Sequence, residues 1–143
     1  MRVTYTAKRA IASGHSAASS YDLDMYTQEP QRTYSPTRKR SVSIDGTEEN
    51  LLLRIESTWT VVTDQFTRNG SAPTTRDLFV EFLASVMGGE AFIFDPYRLP
   101  GGGADVLPMN VTIVSESLSL TPIDPSLGTY TATFSVREID AGL

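Results

Sequence analysis
Hydrophobic and polar positions alternate along most of this chain, and at one place the period changes. Val3, Tyr5 and Ala7 share one parity and Arg2, Thr4, Thr6 and Lys8 the other, the pattern of a half-buried strand. Residues 12–20 are small and polar and predict a loop; Tyr21, Leu23 and Met25 then alternate with Asp22, Asp24 and Tyr26 as a second strand. Residues 27–40 hold Pro30, Pro36 and the basic residues Arg32, Arg38, Lys39 and Arg40 with few aliphatics, and predict a long extended arm or connection. A short strand over 41–45 should carry Val42 and Ile44 inward, and Asp45-Gly46 supplies turn chemistry. The longest alternating run follows: Leu51, Leu53, Ile55, Ser57, Trp59 and Val61 on one parity, with Val62 and Phe66 off it, so a bulge or bend is expected near Val61-Val62.

After Pro73 the period becomes helical. Thr74 or Thr75 suits an N-cap and Asp77 lies in the first turn. Leu78, Phe79, Phe82, Leu83 and Val86 form one apolar stripe, and Gly88-Gly89 can end the helix, placing it at about 75–87. Residues 90–95 are apolar on both faces and predict a central strand, covered on one side by the helix and ended by Asp95-Pro96-Tyr97. A long loop over about 97–108 contains Gly101-Gly102-Gly103. Val111 and Ile113 start another strand, with a register break near Ser115 because Leu118 and Leu120 change parity. Residues 121–128 read as a turn, and Tyr130, Ala132, Phe134 and Val136 as a closing strand. The sum is a mainly β (α+β), antiparallel chain with one helix that must lie on a sheet.

At 143 residues this is one domain, spanning 1–143, large enough to bury a core. The absence of cysteine excludes a disulfide scaffold, a thiolate metal site and a cysteine nucleophile. Twelve basic against seventeen acidic residues give a net charge of −5, which argues against coating nucleic acid. No apolar run is long enough to span a membrane, and the start, Met1-Arg2-Val3-Thr4-Tyr5, lacks a signal peptide's apolar core.

Candidate chemistry is sparse. His15 lies between Ser13-Gly14 and Ser16, but neighbours in a small-residue loop rarely form a nucleophile–base pair, so a surface loop is the expectation. Asp22 and Asp24 fall on one strand face; a hard cation needs more oxygens than these two supply. Gly101-Gly102-Gly103 lacks the Lys and Ser/Thr of a phosphate loop. Trp59, Phe66 and the 78–86 stripe read as core. No catalytic, cofactor-binding or metal residue is assigned, and no enzyme is expected.

The order of elements in the second half carries a resemblance: a helix over Leu78–Val86, Gly88-Gly89, the aromatic strand Phe92–Tyr97, a strand over Val111–Ser117 and a closing strand over Tyr130–Ile139. Over residues 41–139 this resembles the distal tail and minor tail protein M type of long-tailed bacteriophages. Residues 1–40 do not match in detail, and the aromatic strand ends Asp-Pro-Tyr where protein M relatives more often show Trp-x-Pro. The resemblance implies a tail-tube-like β-sandwich and a homo-oligomeric ring of six copies in the virion, assembled in the host cytoplasm. The ring would join the tail tube to the baseplate hub or tip. DNA would pass its lumen without specific binding, which an acidic lining would favour. Many distal tail proteins of phages of Gram-positive hosts carry a further galectin-like domain; without one, a compact ring is expected. A tail tube or tail terminator subunit is the alternative within the class. A carbohydrate-binding β-sandwich module is the alternative outside it, and would need Tyr21, Tyr26, Tyr34 or Tyr97 grouped on one face.

A ring of such subunits lets sheet edges find partners between neighbours, and the basic 27–40 arm could then lie on an acidic neighbouring copy.

Overall fold
Alternation of the kind described yields strands with one wet face, and their apolar faces need a common cover. The computed structural model describes residues 1–11, 14–67, 74–124 and 126–139. Among them the strands are β1 Arg2–Thr6, β2 Ser20–Asp24, β3 Gln31–Val42, β4 Glu48–Val62, β5 Phe66–Thr67, β6 Phe92–Asp95, β7 Met109–Asp124 and β8 Thr129–Glu138. The helix α1 is Thr75–Val86. All strand pairs are antiparallel, in one sheet of order β2-β1-β6-β7-β8-β4-β3, with β5 also on β8.

The expected mainly β, antiparallel fold with one helix is what the chain adopts. Its strands form one continuous sheet, which rolls until the chain just past β2 meets the chain just past β4. Thr27 bridges Thr63 there, Gln28 N donates to Val62 O at 2.9 Å, and Asp64 N donates to Tyr26 O at 2.8 Å. The expected break near Val61-Val62 is this junction. The Thr63 hydroxyl accepts from Ala132 N at 2.9 Å while Thr63 N donates to Ala132 O, so β5 resumes on β8 after a three-residue bend at 63–65.

The helix covers the concave face. Thr74 caps it, with a full capping box: Asp77 N donates to the Thr74 hydroxyl and Thr74 N donates back to the Asp77 carboxylate. These bonds hold the Asp77 carboxyl below its ordinary range. Phe79, Phe82 and Val86 face the sheet. Phe82 meets Tyr5, Phe92 and Phe134, and Phe79 meets Phe66 and Phe134, at ring separations between 5.1 and 6.4 Å. Such aromatic packing contributes beyond area alone. Trp59 and Phe66 are core, as their parity predicts.

Several expectations are corrected. The 27–40 arm is extended but is not a connection: from Gln31 it is β3, paired with β4. Its Thr, Tyr and Ser residues suit a strand, and Pro36 is tolerated because β3 is the sheet's edge. The 41–45 strand is the end of β3 and its turn; Val42 and Ile44 are exposed, not inward. The 121–128 turn is shorter, because β7 runs to Asp124 with Pro122 opposite Tyr130; Pro125 lies outside the described residues. β6 is central as expected, between β1 and β7, but Ile93 is exposed on its uncovered face. The break near Ser115 is present as a register shift between Val114 and Ser119. The 97–108 segment is a loop, as expected, held by Asp95: its buried carboxylate accepts from Val106 N at 2.8 Å and Leu107 N at 3.1 Å.

Asp22 and Asp24 do share a face, and Arg2 occupies it. Arg2 Nε and Nη2 hold the two Asp24 oxygens at 2.7 and 2.8 Å, and Nη1 lies 3.4 Å from Asp22. The Arg2 bonds hold the Asp24 carboxyl below its ordinary value. Its unfolded value is higher, near 3.9, so the stabilisation is complete above that pH and disappears as pH falls through the folded value. Urea titrations between neutral pH and pH 3 are expected to show an acid-induced loss that Arg2→Gln diminishes. Replacing Phe82 with Ala should cost about 3–5 kcal/mol in the same assay, since a fully buried ring leaves a cavity among four aromatic neighbours.

Candidate functional site
Strands β3 and β4 outrun the body. β8 pairs with β4 only from Thr58 to Val62, so the hairpin residues below Thr58 hydrogen-bond to no third strand among the described residues. At ~3.3 Å per residue the ribbon projects roughly 30 Å, comparable to the body's own width. Every residue of β3 is exposed.

The faces follow from register, because residues directly opposite share a side. Trp59 opposes Arg32, Ser57 opposes Tyr34 and Ile55 opposes Pro36. These continue the core face. A bulge then skips position 53, since Thr37 pairs with Arg54 and Arg38 with Leu52. The bulge brings Leu52 onto the core-side face and turns Leu51 to the other, so the single parity expected for Leu51 through Val61 does not hold. Tyr34, Leu52 and Val42 therefore lie on a continuation of the core face with no core beneath it, all three exposed, and toward the tip they alternate with Arg38, Arg40, Asn50 and Glu48 on the same side. Leu51 and Ile44 add exposed apolar surface on the reverse side and at the tip.

The root of this hairpin is fixed by Arg32. Its guanidinium donates to both Glu138 carboxylate oxygens at 2.9 and 2.8 Å and to the Ser57 hydroxyl at 2.8 Å. It also lies over the rings of Tyr34 and Trp59, at 4.8 and 5.2 Å. Arg40 pairs with Glu48 across the ribbon at 2.9 Å. Of the four basic residues expected to lie on a neighbour, two are thus engaged within the chain, and Arg38 and Lys39 are the unpaired ones. The turn is tied by Asp45, which accepts from Thr47 N at 3.0 Å and from the Ser43 hydroxyl. These bonds hold its carboxyl at about 2.

His15 is not a plain surface residue. It stacks on Tyr21 with ring centroids 3.6 Å apart and 3° between planes. Its Nδ1 contacts Glu81, a fully buried carboxylate of α1 that also accepts from the Tyr5 hydroxyl at 2.7 Å and from Ile11 N at 3.1 Å. Burial and this carboxylate raise the Tyr5 hydroxyl well above its usual range. The cluster closes the loop after β1 onto the helix. Ser13 lies outside the described residues; Ser16 uses its backbone N–H on the Tyr21 hydroxyl at 2.6 Å. Glu81 was missed by the stripe analysis because it falls, with Ser85 four residues on, just past the Leu78 border of the apolar stripe. Gly101-Gly102-Gly103 sits in the exposed 97–108 loop and opens no helix. Among the described residues no three His, Asp or Glu side chains gather as metal ligands, and no helix is long and apolar enough to cross a membrane.

Of the four tyrosines, Tyr26 and Tyr97 come together on one cleft of about 350 Å³, while Tyr34 lies on the hairpin and Tyr21 under His15.

No family model matches the chain, and no curated protein matches its sequence. Among solved structures it is similar to a chain in the tail of an empty GTA particle with C6 symmetry, at a TM-score of 0.48 and 9% identity, covering 87% of this chain and 83% of that one.

Removing the Glu81 side chain with Glu81→Ala strands Tyr5, Ile11 N–H and His15 without their acceptor. A loss of about 3–5 kcal/mol in urea denaturation is expected.

Proposed function
We propose that the chain is a structural subunit of a phage or phage-like tail. Six copies form a ring at the distal end, joining the tail tube to the baseplate hub or tip around the DNA channel. Its work is assembly geometry, without bond chemistry. The observation that carries this reading is the hairpin: a strip in which exposed Tyr34, Leu52 and Val42 alternate with charged groups, on a ribbon about as long as the body is wide, fixed at its root by Arg32. A monomer gains nothing from such a strip, which exposes apolar surface without covering any. The unpaired outer edge of β3 offers backbone groups to another chain, and a neighbouring copy in a ring would remove that edge. The element order shared with distal tail proteins supports the same reading, as does the net charge of −5, since an acidic lumen repels phosphate.

The test is sedimentation with negative-stain imaging of the full chain and of a variant in which residues 36–55 are replaced by a two-residue Asn-Gly turn between the opposed Ser35 and Glu56. The full chain is expected to form closed rings with increasing concentration, and the shortened chain to stay monomeric with its melting transition kept. A full chain that is monomeric at every concentration and unchanged in mass by the deletion overturns the proposal.

A further inference from the structure
A head-to-tail contact needs two different surfaces on one chain, a donor and a receiver. Resting on the assembly reading above, the hairpin is the donor. We propose that the receiver is the furrow on either side of Tyr26, and that its occupant is the hairpin tip of a second copy.

Two adjoining clefts make the furrow, of about 850 and 350 Å³, and they share Tyr26 and Pro100. Their rims carry exposed Tyr26, Tyr97 and Leu99, and Phe66 lies in the lining. Large exposed aromatic and aliphatic groups around a concavity are what an apolar partner surface requires.

Charge selects the partner. Glu29 lines one cleft and Asp64 the other, both exposed and, among the described residues, neither paired with a cation. The other acids nearby are already satisfied: Asp24 by Arg2 and Asp105 by Arg98. On the hairpin the converse holds. Arg40 is neutralised by Glu48, and the tip keeps one unpaired cation on each face, Arg38 opposite exposed Leu52 on the core side and Lys39 opposite exposed Leu51 on the reverse, one for each of the two clefts. Two free cations flanked by apolar groups thus face a demand for two free carboxylates flanked by apolar groups, and the same chain supplies both halves.

The occupant cannot be the chain's own hairpin. Pro30 lines the furrow and β3 begins at the next residue. The tip lies a full ribbon length from that point, and Arg32 fixes the direction of departure.

The experiment is a charge-reversal exchange, read by sedimentation equilibrium. Arg38→Glu with Lys39→Glu makes the donor variant, and Glu29→Lys with Asp64→Lys makes the receiver variant. All four positions are exposed, so both variants should melt like the wild-type chain. Each alone is expected to associate about tenfold or more weaker than wild type. Mixed together, they should recover association, because each hairpin then meets a furrow of opposite sign. If the receiver variant assembles like wild type while the chain lacking residues 36–55 does not, the furrow is not the receiver and the assembly reading survives. If wild type itself does not associate and neither variant changes its mass, both fall. If both variants weaken association but the mixture fails to restore it, the pairing of these two surfaces is wrong.

Discussion

The helix is twelve residues long, and it can shelter only as much sheet as it can cover. On β4 the buried residues are Ser57, Trp59 and Val61, and no described residue nearer the strand's start is buried. The strand nevertheless continues to Glu48, in hydrogen-bonded register with β3 throughout. This mismatch between strand length and core length divides the molecule into a closed body and an open ribbon. Everything proposed about assembly follows from it. Backbone pairing alone keeps a two-stranded ribbon only marginally ordered in water, so the root has to be secured. Arg32 does so by joining both strands' side chains to the end of β8 through Glu138.

The body is stabilised by a different device. Its sheet rolls over, and the junction at Thr27 and Thr63 removes what would otherwise be a second exposed border along that part of β4. Thr63 is buried, and its hydroxyl replaces a backbone acceptor where β4 bends. The two buried carboxylates are both engaged: Glu81 with Tyr5, Ile11 and His15, and Asp95 with the loop it restrains. They fix loops to the body.

Much of this was legible in the sequence wherever a period was sustained. The helix, its Thr74 cap, the central aromatic strand and the parity of Trp59 and Val61 follow from spacing alone, because burial on one face leaves that imprint. The β3 strand did not follow, and the reason is physical. A ribbon with no core beneath it has no buried face to enforce alternation, so Gln31–Val42 carries proline and four cations and reads as a connection. The bulge at position 53 then hid the true faces of Leu51 and Leu52. His15 and Glu81 were illegible for the opposite reason: their meeting depends on a tertiary contact between residues 66 apart. The hairpin was therefore hardest to see from sequence where it matters most to the proposed assembly.

The bulge has a consequence for how such a ribbon can change length. On the tip side of position 53 the ribbon bonds to no strand outside itself, so paired residues can be gained or lost there without disturbing the body. Adding two residues to each arm would preserve which side every group points to and extend the reach by about 7 Å. A single-residue change in one arm would invert the sides of everything between it and the turn unless a second bulge absorbed it. A ribbon of this kind would thus change its span only in discrete, even-numbered steps.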